Sequence, residues 1–317
     1  MVMDAMLLPI VCHAAGRELE LRRCCRRRPA VRVDLHCHSK FSNETLRWLP
    51  GVVYQPVLTP EEVYDLAKAR GMDFVTLTDH DSIDGCKALV ERRVPLPDFF
   101  FGEEVSARFP EDGTVVHVNV YDHTEAQHRE ITRLRSNIYD FIAYLRSIDK
   151  LHVLNHMAWT EQHRVLTRRQ LVAVLELFEI FEGLNGARGP AHNAFVWHVT
   201  RERGKVLVGG SDSHTNRVCT TFTLSAGRTP QELLANIALG QAACGGVCGG
   251  PERLLEDIWS VMEHNLDQRL AVARGWTRRA IYRLLARYGR PVSQLVCRIY
   301  DRRQDTLMRN LAQVAVA

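Results

Sequence analysis

Short apolar runs alternate with longer amphipathic stretches between about Val31 and Gly246. Each run is rich in β-branched or aromatic residues and is bounded by turn residues, which is typical of β-strands. The runs cover residues 31–35, 73–78, 98–105, 114–121, 151–155, 179–185 and 205–210, with an eighth candidate at 220–224. Strand-length runs that alternate with helix-length stretches predict an α/β fold.

Four threonines predict helix starts, because each is followed three residues later by Glu or Gln; they are Thr59, Thr124, Thr167 and Thr229. In this arrangement the threonine hydroxyl accepts a backbone N–H, and the longer side chain reaches back to the start of the helix. After Thr124, apolar residues recur at helical spacing from Ile131 to Leu145, which predicts one long helix with a buried face.

Seven or eight strands separated mostly by helices predict a distorted (β/α)7 barrel of the TIM type. The strand that ends at Val105 leads directly to the strand that begins at Thr114, which a regular TIM barrel would not contain. We assign residues 31–250 to this barrel domain.

Two flanks lie outside the alternating pattern. Residues 1–30 end in RRCCRRRP and are predicted to form a basic N-terminal arm. Residues 251–317 are arginine-rich and predict a helical C-terminal extension, with apolar residues at helical spacing at Ile258, Met262, Leu266 and Leu270.

Composition narrows the class of protein. The 317 residues are 46% hydrophobic and 25% charged, which argues against a disordered or fibrous chain. The net charge of +4 permits an anionic substrate and does not require a nucleic-acid partner. Nine cysteines without CxxC spacing argue against a secreted disulfide framework and a zinc ribbon, so we expect a cytoplasmic location. The apolar stretches are too short to predict a signal peptide or a membrane span.

Histidine and carboxylate side chains cluster at the ends of the predicted strands. They are His36 and His38 after the first strand, Asp79 and His80 after the second, Glu103 and Glu104 in the third, His117 in the fourth, His156 after the fifth, and Asp212 and His214 after the seventh. Because the carboxyl ends of barrel strands converge on one rim, we expect these side chains to lie close together. Imidazoles and carboxylates without thiolates suit zinc, manganese or iron, and such a shell can hold two or three ions.

Other polar residues are predicted to have ordinary structural roles. The sixth strand contributes no candidate ligand, and Cys37 points to the face opposite its two histidine neighbours. A histidine outside the strand-end pattern is more often a hydrogen-bonded core or surface residue than a ligand; these are His13, His123, His128, His152, His163, His192, His198 and His264.

Four segments resemble motifs of the PHP (polymerase and histidinol phosphatase) family of metal-dependent phosphoesterases. They are DLHCHSKFS at 34–42, TLTDHDSIDG at 76–85, GEEVS at 102–106 and GGSDSH at 209–214. The resemblance covers residues 31–246 and implies a distorted (β/α)7 barrel with two or three divalent ions of manganese, zinc or iron.

The resemblance also implies a set of metal ligands, namely His36, His38, His80, Glu104, His117, His156, Asp212 and His214. A ninth position, which many relatives fill with aspartate, is Asn43 here. An amide oxygen is a weaker ligand than a carboxylate, so the third ion is expected to bind loosely or to be a different metal.

The resemblance implies hydrolysis of a phosphate ester by a hydroxide activated on the metal cluster. The substrate classes are a phosphomonoester, a nucleotide or a nucleic-acid end. We expect His80 or His214 to donate a proton to the leaving group, and Lys40, Arg188 and Arg217 to bind phosphate oxygens. Two alternatives stay open: an amidohydrolase-like metal hydrolase of a C–N bond, and a metal-binding interaction module without catalysis. The oligomeric state is not predicted.

Overall fold

The computed structural model describes residues 30–42, 44–45, 53–158 and 165–272, together with part of the chain between 275 and 311. Most of the predicted basic arm and the candidate ligand Asn43 lie outside the described residues, so what the sequence predicts for them stays a prediction.

Strands alternate with helices along most of the described chain. The strands are β1 (Val31–Val33), β2 (Glu44–Thr45), β3 (Val53–Tyr54), β4 (Gly102–Arg108), β5 (Val115–Tyr121), β6 (His152–Leu154), β7 (Ile180–Asn185), β8 (Val206–Gly210), β9 (Thr221–Ser225) and β10 (Ala243–Gly246). The bounded helices are α1 (Pro60–Ala69), α2 (Asp84–Arg92), α3 (Glu125–Leu134), α4 (Ile138–Ser147), α5 (Arg168–Leu177), α6 (Pro190–Arg201), α7 (Pro230–Ala238) and α8 (Pro251–Val272).

The strands form three sheets, of which the largest has the order β4-β5-β6-β7-β8. Its first three strands pair antiparallel, and β6, β7 and β8 pair parallel. A second, antiparallel sheet has the order β1-β9-β10, and β2 pairs with β3. The α/β class is therefore confirmed. No sheet closes on itself within the described residues, so the (β/α)7 barrel stays a prediction.

The predicted strand at 73–78 is not a strand in the structure. Its backbone bonds are divided between two neighbours, with Phe74 bridged in parallel to Val33 and Val75 bridged in parallel to Phe99. The segment lies between these neighbours and bonds to both along its length: the N–H of Val75 donates to the carbonyl of Asp98, and the N–H of Thr78 donates to the carbonyl of Cys37. The segment nevertheless places His80 opposite Glu104 through a further parallel bridge.

All four threonines predicted to start helices are N-caps, and each hydroxyl accepts the backbone N–H three residues on. The single long helix predicted after Thr124 is instead two helices, α3 and α4. Asn137 interrupts it, because its side chain accepts the N–H of Tyr139 and caps a new helix. The apolar spacing continues across this break, so the hydrophobic pattern alone could not reveal it.

The main hydrophobic core lies between the large sheet and the helices packed on it. Strand residues such as Val118 and Phe181 meet helix residues such as Phe141 and Phe195, all of them buried. The other face of the sheet also has an apolar cluster, in which Tyr121 and Val208 pack against Leu233 of α7.

The predicted C-terminal extension begins with α8, and the described residues beyond it are largely helical. Trp259 and Met262 of α8 are buried, and Met308 and Leu311 join the main core, so the extension packs against the rest of the chain. None of the helices in the described residues combines the length and apolar composition needed to cross a membrane.

Candidate metal centre

Glu104 lies at the centre of a buried group of imidazoles. Strand β4 carries it, and its side chain is fully buried. Its Oε2 lies 3.1 Å from Nε2 of His36 and 3.3 Å from Nε2 of both His38 and His80. Three histidines from two separate loops therefore share one carboxylate oxygen.

The other oxygen of Glu104 faces two further histidines. Its Oε1 lies 3.1 Å from Nδ1 of His117 and 3.2 Å from Nε2 of His156. His117 comes from the middle of β5, which runs antiparallel to β4, so it does not follow the strand-end rule that applies in a parallel barrel. The side chain of Asn155 donates a hydrogen bond of 2.9 Å to Oε1 and fixes the carboxylate.

Asp212 and His214 complete the group from the loop after β8. Oδ1 of Asp212 lies 3.5 Å from Nε2 of both His36 and His38, and the His214 ring lies 4.3 Å from the His38 ring, measured between centroids. The eight described candidate ligands thus fall into four overlapping groups, in each of which the ligand atoms lie within 4.8 Å of one another; the eight are His36, His38, His80, Glu104, His117, His156, Asp212 and His214.

Two of these residues have a left-handed backbone that side chains rarely adopt. The φ angle is 24° at His156 and 49° at Asp212. Such conformations cost on the order of 1–3 kcal/mol each and persist only where surrounding bonds enforce them. Here the N–H of Asp212 donates to the carbonyl of His36 at 2.6 Å, and the N–H of His156 donates to Glu182 Oε2 at 2.9 Å. The fold therefore holds both residues in place at the expense of local strain.

Glu182 of β7 is a site residue that the sequence reasoning missed, since the sixth strand was expected to contribute nothing. Its Oε1 lies 2.8 Å from Nδ1 of His36, and its Oε2 also accepts a 2.7 Å bond from Asn185. A carboxylate on the far nitrogen of a ligating histidine fixes the orientation of its ring. The available signal is the charged Glu182 in the middle of the otherwise apolar segment IFEGL at 180–184.

Two other aspartates of the motifs fasten the loops rather than face the cluster. Asp34 accepts the N–H and hydroxyl of Ser211 at 2.9 and 2.6 Å, which ties the first loop to the last. Asp79 accepts the N–H and hydroxyl of Ser39 at 2.6 and 2.7 Å, which ties the first loop to the second. Burial raises the pKa of Asp79 to about 7, although the bonds from Ser39 oppose this.

A close backbone approach explains the glycine at the end of β8. A Cβ added to Gly210 would lie 2.4 Å from Cβ of His36 and 3.1 Å from Oε1 of Glu182. Only glycine leaves room for the imidazole and its carboxylate partner at this point.

The electrostatics of the cluster favour ionised carboxylates. Burial alone would lower the pKa of His36, but Glu104, Glu182 and Asp212 raise that pKa well above its usual value. Burial opposes the ionised form of Glu104, yet the surrounding histidines, His36 first, hold the pKa of Glu104 well below its usual range. Burial, together with the neighbouring His214, lowers the pKa of His38 to about 3 and so keeps His38 neutral. The carboxylates and His38 are therefore in the states that ligate metal, whereas His36 would have to release its proton when a metal binds.

The fold is similar to that of a solved structure. It is a two-domain protein of Bacteroides vulgatus containing a predicted PHP-like metal-dependent phosphoesterase, with a TM-score of 0.51 and 17% sequence identity over 74% of this chain and 71% of that chain. The chain has a PHP-like fold. The resemblance drawn from the four motifs is thereby confirmed, and at this identity the match shows the fold alone.

Two further solved structures overlap less well. A metal-dependent phosphoesterase of Bifidobacterium adolescentis, so assigned provisionally, has a TM-score of 0.45 and 16% identity over 68% of this chain and 98% of that chain. An amidohydrolase of Chromobacterium violaceum with bound sulfate has a TM-score of 0.40 and 17% identity over 71% of this chain and 96% of that chain. TM-scores this low do not support either activity for this chain. No family model matches the chain. No curated protein matches it either.

The three predicted phosphate-binding residues lie in different surroundings. Arg188, 18% exposed, has Nη2 3.6 Å from Oδ2 of Asp212 and so reaches the cluster. The guanidinium of Arg217 is paired with two carboxylates of α8, and its Nε lies 3.0 Å from Oδ1 of Asp257. Lys40 is exposed in the turn two residues beyond His38. The geometry therefore favours Arg188 over the other two as a group that meets an anionic ligand.

Three buried atoms at the centre of the cluster make no hydrogen bond within the described residues: Nε2 of His36, Nε2 of His38 and Oε2 of Glu104. Leaving a buried polar group unsatisfied costs about 1–3 kcal/mol. A divalent cation among these atoms would satisfy all three, and their mixed nitrogen and oxygen donors suit zinc, manganese or iron. The residues present therefore fit a metal centre.

Proposed function

We propose that this protein is a metal-dependent phosphoesterase that hydrolyses a phosphomonoester, a nucleotide or a nucleic-acid end. The observation that supports it most strongly is the convergence of six histidines and two carboxylates in one buried group, together with unsatisfied donor atoms at its centre. The PHP-like fold is consistent with this activity.

The same eight residues would hold two or three divalent ions, with manganese, zinc or iron as the proposed metals. Asn43 would provide the ninth ligand. When bound, these ions supply the activated water and neutralise charge on the phosphoryl group. We also propose that the sheets complete a distorted (β/α)7 barrel. In support, the hydroxyl of Thr223 on β9 bonds both the N–H and the carbonyl of Gly209 on β8, at 2.9 and 2.8 Å.

Arg188 is the residue that we propose to bind the phosphoryl oxygens of the substrate. Its guanidinium lies beside Asp212, so a phosphate next to the cluster would lie within its reach. Hydrogen bonds between a guanidinium and phosphate are strong because both partners are charged. Lys40 is a second candidate at the rim, and Arg217 would first have to leave its partners on α8.

One of the two histidines His80 and His214 is the proposed proton donor to the leaving group, in place of its role as a metal ligand. Both are half-buried, whereas His36, His38, His117 and His156 are fully buried. A proton donor must reach the leaving oxygen of a bound substrate, so the more accessible imidazoles suit the role.

Phosphate release from an aryl phosphate tests the proposal, with purified protein reconstituted with Mn²⁺. The experiment includes a chelated sample, the variant His36→Ala, and the control variant His198→Ala. His198 is a half-buried histidine of α6 and is in none of the candidate metal groups found among the described residues. We expect chelation and His36→Ala to abolish release, and His198→Ala to retain it.

Metal-loaded protein that releases no phosphate from aryl phosphates, nucleotides or nucleic-acid ends would contradict the proposal. Ammonia release from C–N substrates under the same conditions would instead support the amidohydrolase alternative. Inactivity towards every substrate by fully loaded protein would favour the interaction module.

A further inference from the structure

Glu103 precedes Glu104 on β4 and points to the opposite face of the strand, because side chains alternate along a strand. There it meets His123 from the loop after β5 and His128 from α3. Its Oε1 lies 2.8 Å from Nε2 of His123, and its Oε2 lies 2.8 Å from Nδ1 of His128. The sequence pattern predicts ordinary structural roles for both histidines, and their convergence on one buried carboxylate differs from that expectation.

Only one of these two short contacts has the geometry of a hydrogen bond. His128 and Glu103 are hydrogen-bonded, whereas Oε1 of Glu103 and both ring nitrogens of His123 make no hydrogen bond within the described residues. Glu103 and His123 are buried, at 1% and 0% side-chain exposure. Buried polar atoms are almost always satisfied, so Oε1 of Glu103 and Nε2 of His123, which face each other, indicate a partner between them.

We propose that Glu103, His123 and His128 form a second site for a divalent cation of the zinc type. One ligand atom from each residue lies within 4.8 Å of the other two. Tetrahedral ligands at about 2.0–2.1 Å from zinc lie roughly 3.3 Å from one another, so the 2.8 Å contacts would open by about half an ångström. The cation would bind Oε1 of Glu103 and Nε2 of His123, neither of which makes a hydrogen bond within the described residues.

The second site is distinct from the candidate metal centre, because the backbone of β4 separates the two carboxylates. Three protein ligands leave a fourth tetrahedral position for water or another small ligand. His128 is 19% exposed and provides access from solvent. A cation here would join β4, the loop after β5 and α3, and would thereby fix the strand that carries Glu104.

Native mass spectrometry of zinc-loaded protein, after removal of unbound metal, tests this proposal by counting ions per chain. We expect His123→Ala and His128→Ala each to bind one ion fewer than the wild type, and the control His198→Ala to bind the wild-type number. The variant Glu104→Gln should keep one ion that the double variant Glu104→Gln, His128→Ala loses. The result is therefore independent of whether the main centre is catalytic.

The variant His128→Gln separates a metal site from a purely structural triad. Glutamine can still hydrogen-bond Glu103 but is a poor zinc ligand, so the proposal requires the loss of one ion here too. His128 is partly exposed, which makes its variants tolerable to the fold, and circular dichroism verifies folding. A wild-type ion count in folded His128→Ala and His128→Gln would overturn the proposal.

Discussion

The two faces of β4 present neighbouring carboxylates in contrasting surroundings. Glu104 faces histidines from four separate segments of the chain, so its centre exists only when the whole fold is assembled. Glu103 faces two histidines only five residues apart, and one of them is partly exposed. One centre draws on segments throughout the chain, whereas the other is built from β4, the loop after β5 and α3 and reaches solvent only through His128. Two adjacent glutamates thus serve different sites because a strand alternates its side chains.

The largest difference between the two faces of β4 is expected when each glutamate is replaced by glutamine. Glu104 contacts five histidines. Glu104→Gln should therefore lower metal loading and phosphoester turnover by on the order of 100-fold or more, which is at least the cost of losing a side chain that only orients a metal ligand. The matched variant Glu103→Gln should lose a single ion and retain most of its turnover. Steady-state kinetics and ion counting measure both. Equal losses of turnover would show that the two faces are not separate.

Removal of the carboxylate that orients His36 should have the next largest effect. Glu182→Gln should weaken metal binding at the main centre about 10- to 100-fold, the usual cost of losing such a partner. The control is Glu179→Gln, on a 72% exposed side chain three residues earlier. Metal titration by isothermal calorimetry measures the affinities, and equal affinities in the two variants would contradict the assigned role of Glu182.

Glu104 and Glu182 show which parts of the site the sequence can predict. Each motif placed its histidine or carboxylate at a strand end or in a strand, so Glu104 and its neighbours could be predicted one by one. Glu182 lies in a strand with no motif, and its partner His36 is 146 positions away. The histidines at 123 and 128 were likewise hidden, because their partner Glu103 is distant in sequence and only the antiparallel pairing of β4 and β5 brings the loop close.

The fold shows the same division between local and long-range information. Capping threonines are recognised from four consecutive residues, and all four mark true helix starts. The extended segment 73–78 has a strand-like composition, but its backbone hydrogen bonds are divided between two neighbouring segments. Composition alone does not reveal this division. Asn137 divides the predicted long helix without disturbing its apolar spacing.

Gly210 packs against the main centre, so a methyl group added there would crowd that centre. Gly210→Ala places a methyl group against His36 and Glu182, so overpacking should lower the free energy of unfolding by about 1–3 kcal/mol and reduce turnover. The control Gly250→Ala adds a methyl where no atom lies within 4 Å. Urea denaturation measures the stabilities. A fully stable and active Gly210→Ala variant would contradict the close approach at this position.

The smallest effect is expected at the start of α3, on the Glu103 face. Thr124→Ala removes the N-cap of the helix that carries His128, which should cost about 1 kcal/mol of stability while turnover is unchanged. Thr124→Ser should restore most of the lost stability because it keeps the capping hydroxyl. Denaturation and kinetics on the same preparations measure both quantities, and a large loss of turnover would show that this face takes part in the chemistry.

Anomalous X-ray diffraction from crystals of manganese-loaded protein locates bound ions without reference to activity, and so tests whether the group around Glu104 binds metal. We predict two or three anomalous peaks enclosed by Glu104, Asp212 and the surrounding histidines, and their loss in Glu104→Gln. Fully loaded crystals with no anomalous peak at Glu104 would contradict the assignment of this group as a metal centre.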